Sequence, residues 1–159
     1  MRKYVNSEAS QHEMKLIQMG AEVEQINSKM CYVRFKVYHI DVEYVYNINA
    51  KNKYFLERIK PYPLPIKEYE TESDLINIIR IDIKQFENAC KSKNIDTFIK
   101  INRELNTAIK RFEDLFLYYN VPRVEGEIIM QKINEIQEEI RKTQKLSQRV
   151  FFDKNPDNL

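Results

Sequence analysis

The stretch CYVRFKVYHIDVEYVYNI, residues 31–48, decides the fold class. Cys31, Val33, Phe35 and Val37 fall on one face of an extended chain, and Tyr32, Arg34, Lys36 and Tyr38 on the other. Val42, Tyr44, Tyr46 and Ile48 repeat the pattern against Asp41, Glu43 and Asn47. A period of two in β-branched and aromatic residues marks strands that bury one face. The run is nearly twice the usual limit of roughly 10 residues for a single strand. It is therefore expected to fold back near His39, although neither Tyr38 nor His39 is a residue that turns favour.

Turn signals flank this stretch at Asn27-Ser28 and at Asn49-Ala50-Lys51-Asn52, asparagine being tolerant of positive φ. Tyr54 to Ile59 supplies a further strand, so that three or four strands form an antiparallel meander. Pro61-Tyr62-Pro63-Leu64-Pro65 is expected to end the sheet as a stiff, extended connector, since proline fixes φ and removes a donor. On the N-terminal side, Ser7 to Met19 predicts a short amphipathic helix, with Ser7 as its N-cap and Gly20 as its stop.

After the prolines the period changes to that of helices. Thr71-Glu72-Ser73-Asp74 resembles a capping box, and Ile76, Ile79, Ile83, Phe86 and Cys90 follow on one face. Ile78 and Ile81 lie off that stripe, which predicts a helix covered on two sides. Asp96 is expected to cap the next helix, whose stripe runs through Phe98, Ile101, Leu105, Ala108, Phe112, Leu115 and Tyr119. Asn120-Val121-Pro122 ends it. The last helix, about Glu125 to Val150, carries Ile129, Ile133, Ile136, Ile140, Thr143, Ser147 and Val150. Two such stripes joined by a short connection predict a long antiparallel helical hairpin.

The class is therefore α+β: an N-terminal helix and a 3-4-stranded antiparallel β-meander followed by three α-helices, the last two paired. Residues 1–66 form a helix-plus-meander subdomain and 67–152 a helical subdomain packed on the sheet. Residues 153–159 form a polar tail expected to fray. Together they make one structural domain.

Composition narrows the function classes. With 26 basic and 24 acidic side chains the net charge is +2, so no global field draws the chain to nucleic acid or an anionic membrane. Two glycines leave no room for a glycine-rich phosphate loop. Cys31 and Cys90 stand too far apart for a zinc or redox pair and are expected to be reduced core residues. The polar N-terminus lacks the apolar run of a signal peptide. The longest apolar-rich stretch, Leu75 to Ile83, is broken by Asn77, Arg80 and Asp82. A cytoplasmic location away from membranes is expected. No cysteine has a histidine at a recognised spacing and no G-x-S-x-G occurs, so no catalytic, cofactor or metal residue is assigned and the chain is expected not to be an enzyme.

Three constellations carry chemistry. His39, Asp41 and Glu43 alternate and could ligate a divalent metal, but a solvated sheet face has the same composition. Tyr32, Arg34, Lys36 and Tyr38, with Tyr54, Arg58 and Lys60 on a neighbouring strand, resemble the stacking and phosphate-holding face of single-stranded nucleic-acid binders. Asp41, Glu43 and Glu57 dilute that field. Phe116, Tyr118, Tyr119, Val124 and Ile128, with Leu117, gather at the tip of the helical hairpin as a protein-contact surface. Alternatively Val124 and Ile128 staple the last helix onto its neighbour. The leading expectation is a non-enzymatic cytoplasmic regulator or adaptor that acts through protein–protein contacts and self-associates as a homodimer. The alternative is a single-stranded nucleic-acid-binding module.

Overall fold

A computed structural model describes residues 2–23, 28–49 and 53–159, and their side chains except at 2–8, 49, 66 and 67. The elements are α1 (Arg2–Gln18), β1 (Ser28–Val37), β2 (Ile40–Asn49), β3 (Tyr54–Lys60), β4 (Leu64–Tyr69), α2 (Glu72–Ala89), α3 (Ile95–Tyr118) and α4 (Arg123–Leu146). The strands pair antiparallel in the order β1-β2-β3-β4. This is the α+β class that the sequence patterns predict, with its N-terminal helix, antiparallel sheet and long C-terminal helix pair.

The reversal near His39 is a two-residue turn. Val37 pairs with Ile40, and the register runs unbroken back to Ser28 opposite Asn49. Tyr38 takes a φ of 53°, a conformation that costs a side-chain-bearing residue roughly 1–2 kcal/mol. The long ladder on either side imposes the turn on a residue poorly suited to it. The signals at Asn27 and at Ala50 to Asn52 lie outside the described residues.

Several boundaries differ from expectation. The helix α1 begins at Arg2, so Ser7 lies within it and is not its N-cap. Gly20 does end it: at φ 93° its N–H bonds to the Ile17 carbonyl, and the Ala21 N–H reaches back to Leu16. The proline tract does not end the sheet, because after a cis Lys60-Pro61 peptide the chain reverses into β4. Pro65 is tolerated there because β4 is an edge strand, where a missing donor breaks no ladder. Thr71 caps α2 as expected, accepting from the Asp74 N–H at 3.1 Å. Asn94 rather than Asp96 precedes α3; Asp96 sits in the first turn, where a carboxylate suits the helix dipole. The last helix stops at Leu146, so Val150 lies beyond it.

Val37, Ile40, Val42, Tyr44 and Leu56 from the sheet meet Leu75, Ile79 and Phe86 of α2, and Ile95 and Ile99 at the base of α3 close the core. Ile76, expected on the buried stripe, is exposed, because Leu75 takes the sheet-facing position. The other side of α2 receives the chain after α4. Lys84 binds Asp153 at 2.8 Å and the Asn88 amide donates to the Val150 carbonyl, so the tail lies against α2.

A buried polar cluster ties the two layers together. Arg58 of β3 is 3% exposed. Its Nη1 donates to both carboxylate oxygens of Asp82 on α2, at 2.8 and 2.9 Å. The Tyr44 hydroxyl donates to the same carboxylate at 2.6 Å. Burial, then the adjacent Asp82 charge, pushes the Tyr44 hydroxyl far above its ordinary range. The Arg58 guanidinium lies 4.5 Å from the Tyr62 ring centroid and 5.0 Å from that of Phe86. Those π faces cover a group whose Nε has no hydrogen-bond partner.

Removing one member strands the others. Asp82→Ala is expected to lower unfolding free energy by about 3–5 kcal/mol, because it leaves a buried guanidinium uncompensated. Replacing the whole cluster (Arg58→Met, Tyr44→Phe, Asp82→Leu) should recover most of that loss in urea melts. A triple variant as unstable as the single would disprove the account.

Candidate interaction surfaces

Two surfaces present the residues singled out in the sequence: the outer face of the sheet, and the arm formed by α3 and α4.

On the outer face the β1–β2 register sets Lys36 beside Asp41 and Arg34 beside Glu43. Lys36 binds Asp41 at 2.8 Å. Glu43 accepts from the Tyr32 hydroxyl and, at 3.0 Å, from Lys60. The Arg34 guanidinium stacks 4.6 Å over the Tyr32 ring. Of the neighbours expected to extend this face only Lys60 does so. The register shifts between Glu43 and Tyr44, so that Lys60 pairs with Glu43 while Arg58 pairs with Tyr44 and faces the core. Such a bulge switches faces within a strand. Tyr54 is likewise on the core side. Tyr38 occupies the turn. His39 lies 3.1 Å from Asp96 of α3, so His39, Asp41 and Glu43 each engage a different neighbour.

The arm is the second surface. Its helices each have 24 residues. Near the tip Phe112 and Phe116 stack with centroids 4.7 Å apart, and the Phe116 ring rests beside Gly126, where α4 begins. The arm then returns to the body, where Val150 meets Asn88. Only Ile95 and Ile99 of α3 are buried, and no residue of α4 is. Ile101, Leu105 and Phe112 on α3, and Ile133, Ile136 and Ile140 on α4, remain 40–54% exposed. Ile101, Leu105, Ala108, Phe112, Leu115 and Ile129 line a groove of about 790 Å³, rimmed by Lys100, Glu104 and Arg111. At the tip, Tyr118 is 78% and Tyr119 69% exposed. Val124 is 63% and Ile128 45% exposed, so neither side chain is buried against a neighbour.

The sequence patterns single out the tip, and the flank of the arm also carries exposed apolar residues. The stripes were visible, but their spacing is the same whether a neighbour covers them or not. A smaller cleft of about 270 Å³ lies over Arg58, Tyr62, Asp82, Gln85, Phe86 and Phe98. Its carboxylate already accepts from Arg58 and Tyr44, which is a structural role.

The network on the outer face sets an acid response. Hydrogen bonds from Tyr32 first, and from Lys60 second, hold the Glu43 carboxyl below its ordinary 4.5. A depressed folded value adds stability that is present above 4.5 and lost as pH falls through the lower folded value. Glu43→Gln should therefore flatten the decline in unfolding free energy below pH 4.5; a slope equal to the wild type would refute the assignment. The chain matches no protein-family model, no curated protein and no solved structure at a significant level.

Proposed function

We propose that this protein acts by protein–protein contact, as a non-enzymatic cytoplasmic regulator or adaptor that self-associates through its helical arm. The carrying observation is the surface. A compact monomer of 19.2 kDa exposes roughly 8,400 Å². This chain exposes 13,490 Å². The excess of about 5,000 Å² on one chain is more than the roughly 1,000–2,500 Å² that each partner commonly gives to an obligate interface. It is shared between the α1 segment, where Met14, Leu16, Ile17 and Met19 are exposed, and the arm, whose apolar stripes stand half in solvent. A contiguous apolar patch of more than a few hundred Å² marks a contact site. No helix among the described residues is long and apolar enough to cross a membrane, so the stripes do not serve as a bilayer span.

The test uses residues whose exposure spares the monomer. Phe112→Glu with Ile133→Glu should leave the melting of the sheet-containing body unchanged. It should abolish the protein contacts that the wild-type chain retains on native co-purification. Retention of the same contacts by the folded variant would overturn the reading.

The nucleic-acid alternative has less support, because the outer-face lysines bind carboxylates of the same face. Under this reading the protein should not retain a mixed single-stranded oligonucleotide pool at low salt, where phosphate contacts are strongest. Binding lost on Tyr32→Ala with Arg34→Ala would reverse the preference.

A further inference from the structure

We infer that the arm is completed by a second copy of this chain, lying antiparallel across a two-fold axis and forming a four-helix core. This rests on the contact reading above and names the occupant of the surface.

The arm has an internal symmetry that suits such a partner. The midpoint of α3 (Ile95–Tyr118) falls between Asn106 and Thr107, which is also midway between Leu105 and Ala108. The midpoint of α4 (Arg123–Leu146) falls between Asn134 and Glu135, midway between Ile133 and Ile136. Each apolar stripe is thus centred on its own helix. The helices are equal in length and joined at the tip, so the two centres stand equally far from it. One two-fold axis can therefore pass through both, as a symmetric dimer requires.

Rotation about that axis sets Leu105 against Ala108 of the second copy and Ile101 against Phe112. On the other helix it sets Ile133 against Ile136 and Ile129 against Ile140. These are the alternating three- and four-residue layers of antiparallel helix packing. A large residue meets a small one at the centre of α3, where backbones can approach closely. The flanking charges also match. In this register Glu104 lies beside Arg111 of the second copy and Lys132 beside Glu139, each twice by symmetry. Glu104 and Arg111 are both on the rim of the groove. Lys132 binds Glu135 within its own helix at 2.9 Å, an exposed contact that is readily exchanged. Tyr118 of each tip comes level with Ile95 at the base of the other arm, which covers tip side chains that are otherwise bare. The arm is about 36 Å long at 1.5 Å per residue, which holds the two sheets at opposite ends of the core.

Light scattering on the purified full chain should give twice 19.2 kDa. Lys132→Glu should weaken the dimer by about tenfold, a repulsive pair occurring twice. Adding Glu139→Lys should restore it, because the swapped charges still face each other. In a Cys31→Ser, Cys90→Ser background, Ala108→Cys, on the facing stripe beside the axis, should form an interchain disulfide on mild oxidation, and a cysteine at Lys145 should not. A monomer at millimolar concentration would overturn the second copy and the self-association proposed above, while contact with a different protein partner keeps its own test. A dimer in which the charge swap fails to rescue and Lys145→Cys cross-links instead would overturn this register.

Discussion

The buried contact from Arg58 Nη1 to both carboxylate oxygens of Asp82 is the constraint on which the rest of the molecule depends. It joins the middle of the sheet to the middle of α2. Its neighbours Tyr44, Tyr62 and Phe86 fill the space around it. Once α2 is fixed in direction, Ile95 and Ile99 can close the far end of the core and the arm departs from a defined base. Two further links reach the same base: the Arg103 Nε bonds the Pro61 carbonyl at 3.1 Å, and His39 meets Asp96. The latter is exposed and contributes little, whereas the buried pair cannot lose a member without stranding a charge. A buried ion pair stabilises less than apolar packing of equal volume, but it fixes the angle and register at which two layers dock.

The core defined by this docking is small and one-sided. Among the described residues, and apart from Ile95 and Ile99, its buried apolar side chains come from between Val37 and Phe86, so α3 beyond Ile99 and the whole of α4 add nothing to it. Their helicity in a single chain rests on local terms such as the Arg123–Glu127 and Lys132–Glu135 contacts. Each such pair is worth about 0.2–0.5 kcal/mol, and most helical stability in folded proteins comes instead from burying an amphipathic face.

How much of this was legible in the sequence depends on whether the deciding interaction was local. Period-two alternation exposed β1 and β2, and three–four spacing exposed the arm, because both reflect a face that repeats along the chain. The turn at Tyr38 was found only through the excessive length of the run, since the residue that turns there is chemically wrong for it. Arg58 could not be placed. The alternation of β3 puts Tyr54, Leu56, Arg58 and Lys60 on one face, and only the register shift opposite Glu43 and Tyr44 sends Lys60 outward while Arg58 stays with the core. No residue type announces that shift. Pro65 read as a stop because proline in a central strand is one, and the sequence does not say which strand will lie at an edge. The net charge of +2 concealed that the outer-face lysines are matched by carboxylates across the ladder.

The arm shows the same limit from the other side. A stripe records what a helix needs to bury and is silent about whether the cover comes from the same chain. Here the described fold leaves the cover out. An interface formed on an already rigid surface contributes only its contacts, but a partner on this arm would also supply the burial that holds the helices straight. Association and ordering of the arm would then be a single equilibrium, and part of the contact energy would be spent on ordering. The consequence is selective. A partner that leaves one stripe bare gains half the burial while still bearing the cost of ordering both helices. One that matches the two stripes at once, at the same distance from the tip, gains all of it. In such an equilibrium, equal helix lengths with centred stripes would favour a partner whose own arm has the same spacing.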